Sequence, residues 1–291
     1  VAQAYAREAR YRVIEHYRGT YTVSGMCAFF GISRAAYYAW RKRLDQPDAD
    51  AERKQLIQEA YAASKRTYGY RRIGLWLRQK RSVVINHKAV RRLMNQLGIQ
   101  SIARKRKPYR KMSKLDTYHH YENVLNRDFT ATRPNQKWVT DITYIATQQG
   151  WAYLSTIKDL FDGYIVAHAM SLSNSVALVT RTLQRAQDKE KVTDGLILHS
   201  DQGHQYTSQA YFALTQQYNI APSMSRRANC WDNAPMENFF GHLKEEALRH
   251  LPIPTFQEAQ QIIDEYIHFF NYERIQLKTR QTPAQVRCLS T

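Results

Sequence analysis

Cysteine is nearly absent from this chain: three residues in 291, Cys27, Cys230 and Cys288. They show no metal-ligand spacing, and their odd number argues against a disulfide framework, so they are expected to be reduced and are assigned no chemistry. No run of 18 apolar residues and no signal-peptide pattern occurs, which leaves no candidate for a membrane span or a secretory leader and points to a soluble, cytoplasmic chain with no membrane partner. Acid is missing from one long stretch. Between Ala60 and Leu115 there are 17 Lys and Arg and no Asp or Glu. Residues 1–130 carry 28 basic against 10 acidic residues and residues 131–291 carry 15 of each, so the net charge of +18 belongs to the first part alone. Such a block requires a polyanion or extensive solvation. The aromatics interleaved with it (Tyr68, Tyr70, Trp76, Tyr109) favour nucleic acid.

What is present divides the chain by composition. Residues 1–46 read as a helix-turn-helix, with a helix over Val23–Phe30, Gly31 in the turn, Ser33 as N-cap and a second helix over Arg34–Arg43. That helix would offer Arg34, Tyr37 and Tyr38 to a DNA groove. A linker follows. Residues 51–100 read as a second unit of this kind, with helices near 52–63, over Tyr70–Gln79 and from Asn86 as cap to Gly98. Lys88, Arg91 and Arg92 fall on the outer face of its last helix, and Arg71 and Arg72 belong to the same basic surface. Residues 101–130 are a basic linker in which Arg104, Lys105, Arg106 and Lys107 are further DNA contacts.

At Arg133-Pro134 the composition changes. Strands are expected over 136–145, 151–159, 163–171, 195–200 and 220–225, and helices over Asn174–Asp188, Ser208–Tyr218 and from Pro235 onward. Three strands in a meander, then helix, strand, helix, strand, helix, make an α/β domain with a mixed sheet over 131–250. Residues 251–291 form a helical extension containing an amphipathic helix over 257–272.

Three acids in this half stand out. Asp141 lies inside a strand, where Asp is disfavoured; its plain alternative is an edge-strand gatekeeper. Asp201 ends the fourth strand in "LHSDQGHQY"; its plain alternative is a helix cap. Glu237 opens a helix whose cap position reads as Ala234, so a capping box does not account for it. Gly241 and Lys244 share its face. Met236, Phe240, Leu243 and Ala247 form the adjacent core stripe. If the first and fourth strands are neighbours, the acids converge, and converging carboxylates need a cation between them. Oxygen-only ligation suits magnesium or manganese. Among the remaining residues, His199, Ser200, Gln202 and Tyr206 are expected to shape the loop around Asp201, Gly203 to permit its turn, and Asp159, Asp162, Asp232 and Asn233 to serve turns and caps. Trp231 is open to packing or to stacking on a base.

"WVTDITYI", "LHSDQGHQY" and "NCWDNAPMENFFGHLKEE" together resemble the three acid motifs of the Asp-Asp-Glu transposases and retroviral integrases. Asp201 and Glu237 are separated by 35 residues, the spacing of that superfamily, and Lys244 stands seven after the Glu. With "MCAFFGISRAAYYAWRKR", "YGYRRIGLWL" and "FFNYERIQLKTRQTPAQV", the chain is similar nearly throughout to the second-frame product (OrfB) of a bacterial insertion sequence of the copy-out-paste-in family. The resemblance implies a ribonuclease-H-like core preceded by all-α helix-turn-helix modules, and a DNA transposase acting on terminal inverted repeats in a nucleoid setting. It also implies two Mg2+ or Mn2+ ions held by Asp141, Asp201 and Glu237, with Lys244 contacting DNA. Its partners would be double-stranded DNA (element ends and target), further copies in a dimer or synaptic multimer, and an upstream OrfA-type protein, since the chain starts at Val1. The zinc-binding His-His-Cys-Cys unit of retroviral integrases is not matched: His119 and His120 lack a Cys-x-x-Cys partner. The alternatives are a helix-turn-helix regulator with a non-catalytic integrase-like domain and a nuclease that hydrolyses without joining.

Overall fold

The computed structural model describes residues 2–44, 48–101, 120–192, 195–226 and 229–289. It divides into two compact units, Val1–Gln58 and Glu59–Thr291.

The first unit contains α1 (Ala2–Tyr17), α2 (Val23–Phe29) and α3 (Arg34–Leu44). The turns are set by short polar side chains. Thr22 Oγ1 accepts from the Gly25 amide at 3.3 Å, Ser33 Oγ accepts from the Ala36 amide at 3.2 Å, and Gly31 takes φ +63°. Tyr11, Ile14, Cys27 and Tyr37 form the core, with Trp40 against it. Tyr37 therefore does not face a groove, contrary to its expected role. It shares a helix face with Trp40, three residues on, and is fully buried, with its hydroxyl donating to Glu15 Oε2 at 2.5 Å. Burial, then Glu15, push that hydroxyl up to about 12. Arg34 and Tyr38 on the same helix are exposed.

The unit boundary falls within α4 (Ala51–Ala63). The second unit continues with α5 (Tyr70–Arg81) and α6 (His87–Gln96), the latter capped by Asn86 Oδ1 on the Lys88 amide at 2.8 Å. Ile73, Leu77, Val90, Leu93 and Met94 bury their shared side. Each fully buried aliphatic of this size contributes about 1.5–3 kcal/mol. Lys88, Arg91 and Arg92 face outward, and Gly98 has φ +65°.

The sheet comprises β1 (Lys137–Thr147), β2 (Gly150–Asp159), β3 (Ile165–Ser171), β4 (Ile197–Ser200) and β5 (Ala221–Met224), in the order β3-β2-β1-β4-β5. The first three strands pair antiparallel, while β4 joins β1, and β5 joins β4, in parallel. Asp141 thus lies in the central strand, which removes the edge-gatekeeper reading. One face is covered by α7 (Val176–Glu190) and α8 (Gln209–Gln217), around Trp138, Leu183, Leu198 and Tyr206. α9 (Ala234–Leu243) and α10 (Phe256–Tyr272) pack on β1, with the Phe239 and Phe270 rings 5.0 Å apart. Arg181, Arg185 and Lys189 of α7 donate to the carbonyls of Met170, His168 and Val166, which seals the outer edge of β3 against further strand pairing.

After α9 the helix takes one π turn, Lys244–Leu248. The extra residue in that turn rotates the side chains beyond Leu243, so Ala247 is only half-buried and Glu245 is buried instead. The expected stripe therefore holds for Met236, Phe240 and Leu243 and fails for Ala247. A short α11 (Pro283–Cys288), capped by a Thr282–Gln285 box, completes the unit.

Candidate active site

Strand register brings the first two acids together. The β1–β4 pairing ends at Val139 opposite His199. Two residues further on, the strands part, and Asp141 and Asp201 stand level with each other across the opening. Neighbouring strands run about 5 Å apart at such a point. Asp141 Oδ1 accepts from the Ile142 amide at 2.8 Å, and Asp201 Oδ1 accepts from the Gly203 amide at 3.0 Å. Gly203 is required here for space and not for a left-handed turn: a Cβ would meet Asp201 Oδ1 at 3.0 Å and Gln205 Oε1 at 3.1 Å.

The third acid comes from α9. The helix begins one residue earlier than its sequence pattern indicates. Asn233 is its N-cap, and instead of capping, the Asn233 side-chain amide donates to the Thr140 carbonyl at 3.0 Å. The start of the helix is thereby tied to the residue before Asp141. Asp232 holds the preceding turn. Fully buried, it accepts from the Arg226 amide and guanidinium at 2.8–2.9 Å, from Arg127 Nε at 2.7 Å and from Asn123 Nδ2 at 3.0 Å. The Arg226 hydrogen bonds above all hold its carboxyl far below the usual carboxylate range. Asp232 and Asn233 are thus more than turn residues: they position the helix of Glu237.

The electrostatics report the convergence. Asp141 is pushed well above its ordinary value by burial first, then by the charges of Asp201 and Glu237, with Lys244 acting in the opposite direction. Burial also raises Asp201. Water reaches the acids: Asp141 is half-buried, Asp201 and Glu237 are exposed, and Lys244 is half-buried. The buried Tyr206 hydroxyl lies 3.3 Å from Thr140 Oγ1, and burial with the Asp141 and Asp201 charges raises it strongly. Among the described residues no three carboxylate, imidazole or thiol side chains close around a common metal position. The donor chemistry nevertheless suits a hard cation: three carboxylates, one of them destabilised by the other two.

His199, expected to shape the loop, is a staple between strands. Fully buried on β4, it lies 2.9 Å from Ser223 Oγ through Nδ1 and 3.0 Å from Ser225 Oγ through Nε2. Burial pushes it down to about 4, so the imidazole is neutral at pH 7. Trp231, in the turn ahead of α9, is 70% exposed. On the helical part of the unit, Arg71 is exposed with Lys88, Arg91 and Arg92. Arg72 differs: it is half-buried over the Tyr68 ring, 5.9 Å from its centroid, in the field of Arg274 and Glu246. Arg104, Lys105, Arg106 and Lys107 lie outside the described residues. Arg127 and Arg226 were not anticipated as braces of the site. They act on a residue that, for Arg127, is 105 positions away, and no local pattern marks such a pair.

Residues 131–230 match an integrase core domain family, residues 237–290 a second integrase core domain family, and residues 47–107 an HTH-like domain family. The InsK protein of insertion sequence element IS150 from Escherichia coli (strain K12) is 38% identical over 277 residues, 95% of this chain and 97% of that protein. The 31 kDa protein of insertion element IS600 from Shigella sonnei is 38% identical, covering 86% and 92%. Transposase InsF for insertion sequence IS3A from Escherichia coli (strain K12) is 32% identical, covering 82% and 84%. At greater distance, the HTLV-2 integrase catalytic core in complex with magnesium aligns at a TM-score of 0.43 and 17% identity, over 53% of this chain and 97% of that one.

Proposed function

This chain belongs to the insertion-sequence transposases that carry an integrase core, and from that premise we propose that it cuts and joins DNA strands at the terminal inverted repeats of its element. The observation that carries the reading is the register of β1 and β4, with Asp141 level with Asp201 where the strands part and Glu237 brought in by a helix tied to Thr140. Asp141, Asp201 and Glu237 are the catalytic acids. When bound by them, two magnesium or manganese ions would stabilise the attacking and leaving oxygens of an in-line phosphodiester displacement. The chain's own residues prepare that chemistry. Asn233 and Asp232 fix the helix of Glu237, and Gly203 lets the backbone close on Asp201. Lys244 supplies the cation that meets a phosphate beside the acids. In cleavage, water attacks phosphorus and the 3′ oxygen leaves. In joining, the freed 3′-hydroxyl attacks a target phosphorus and the target's own 3′ oxygen leaves. No covalent protein–DNA intermediate is required.

Arg34 and Tyr38 on α3, Arg71 on α5 and Lys88, Arg91 and Arg92 on α6 contact the element ends, joined by Arg104, Lys105, Arg106 and Lys107. The complex pairs two ends, so it contains further copies of the chain and an upstream OrfA-type protein, at the bacterial nucleoid. The test is cleavage and joining of labelled duplexes of the element's own ends, with magnesium and with the upstream protein supplied, comparing wild type with Glu237→Gln. A joined product from wild type and none from a variant that still binds DNA supports the reading. Hydrolysis without joining would make it a nuclease, and equal activity in both proteins would remove the acids from the chemistry.

A further inference from the structure

The Tyr70 ring at the start of α5 carries two guanidiniums. Arg71 lies 5.7 Å from its centroid and Arg91, reaching across from α6, lies 5.9 Å from it. Tyr70 is half-buried and both arginines are exposed. The usual device for orienting an arginine is a carboxylate, and α5 shows it at its other end, where Arg81 pairs with Glu59. A carboxylate cancels the charge and occupies the N–H donors. An aromatic face orients the guanidinium and leaves the charge and the donor fork available. From Ala60 to Leu115 the chain offers no acid at all, and among the described residues neither Arg71 nor Arg91 takes part in an ion pair. A guanidinium fork whose donors are left available matches the O6 and N7 acceptors of guanine in the major groove. A phosphate would need only the charge, which Lys88 on the same α6 surface already supplies.

We propose that Tyr70 is a positioning residue that holds Arg71 and Arg91 to read guanine in duplex DNA, making this ring a determinant of which sequence the chain recognises. The inference rests on the reading of the chain as a protein that binds element ends, but it concerns binding and not strand chemistry.

The experiment is fluorescence anisotropy of the full chain on a labelled duplex of its element's end and on a scrambled duplex of equal composition, over a range of salt. Tyr70→Leu is expected to lower the preference for the element end about tenfold. The slope of affinity against salt should stay unchanged, because no phosphate contact is lost. Tyr70→Phe keeps the ring and should keep the preference, while Arg91→Lys should lose it. With 7-deazaguanine in the element end, wild type should weaken and Arg91→Ala should weaken no further. That last comparison carries the test by itself if Tyr70→Leu does not fold, as judged by thermal melting. The inference is overturned if Tyr70→Leu matches wild type, or if it weakens both duplexes equally with a shallower salt slope. The strand-joining assay is scored separately: wild type that joins ends while Tyr70→Leu retains its preference sinks only this inference. Wild type that selects the end but never cuts it sinks the enzymatic reading and leaves the role of Tyr70 readable.

Discussion

Asp159, Asp162 and Glu190 share one arginine. Arg287 reaches them at 3.1, 2.7 and 2.6 Å, donates also to Asn135 and stacks on Tyr164, and the two aspartates are fully buried. Asp141, Asp201 and Glu237 form a second trio in the same unit, with Lys244 as the opposing charge and with solvent access. The first trio is bound from within the chain, by Arg287 and by donors from Asn135, Phe161 and Tyr164, and holds α11 to the ends of β2 and α7. The second is set by mutual repulsion: burial and the charges of Asp201 and Glu237 raise Asp141, and the trio is reached by water. Repulsion alone does not separate the two: Asp162, too, is pushed up, to about 6, by burial and by Asp159. What separates them is access: Asp159 and Asp162 are buried among internal donors, whereas Asp201 and Glu237 are exposed.

The sharpest way to break this contrast is to neutralise one acid in each trio. Asp141→Asn should cost at least about a thousandfold in strand cleavage, several kcal/mol of transition-state stabilisation. Its melting temperature should be unchanged or raised, because repulsion is relieved. Asp162→Asn should leave strand cleavage unchanged in the folded fraction, because it lies outside the acid site. If Asp141→Asn melts much lower than wild type, its trio is structural and the distinction falls.

Removing the shared arginine tests the other side. Arg287→Ala strands buried carboxylates and should cost about 3–5 kcal/mol in denaturant unfolding. A loss below about 1 kcal/mol would mean that the trio is neutralised by other groups.

A third prediction concerns His199, two residues before Asp201. Its imidazole sits at about 4 in the folded chain against about 6.5 in an unfolded one. The unfolded chain therefore binds the extra proton between those values. The stabilisation is complete above about pH 6.5 and is lost as pH falls toward 4, to an extent of roughly 3 kcal/mol. Asp162 acts oppositely within that window, because its raised value favours the protonated fold. The measurement is accordingly the difference between wild type and His199→Gln in unfolding free energy from pH 7 to 4, which should shrink on acidification. A constant difference would show that His199 does not titrate with folding.

The smallest effect is expected at a lone acid in the first unit. Tyr37→Phe removes the hydroxyl that donates to Glu15 and should cost about 1 kcal/mol, since Arg18 and Arg41 still face that carboxylate. A loss of several kcal/mol would show that Glu15, too, is a buried charge with a single essential partner.

Much of the fold was legible because its signals are local. Asn86 and Ser33 mark helix starts, Gly31 and Gly98 mark turns, and the apolar runs of β1 to β5 stand between polar breaks. The three acids stood out because Asp141 is costly inside a strand and because their motifs keep a familiar spacing, and the strand register sets Asp141 level with Asp201. Arg127 and Arg287 were not legible, because each acts on carboxylates remote in sequence; nor was Arg226, six residues from Asp232, because an arginine carries no mark of its partner. Tyr37 and Ala247 were misplaced for a different reason: periodicity assigns a face, but only neighbouring elements decide whether a face is covered, and a π turn shifts the period itself.

The sequence by itself determined roughly where helices and strands lie, that the net positive charge belongs to residues 1–130, and which acids stand out. Those properties depend on residues within a turn or two of each other. Only the tertiary structure decided which acids gather on one internal arginine and which converge where water reaches them, because charge interaction depends on distance through space. Asp141 and Asp201, 60 positions apart, meet through the register of two parallel strands, and no local interaction encodes that register.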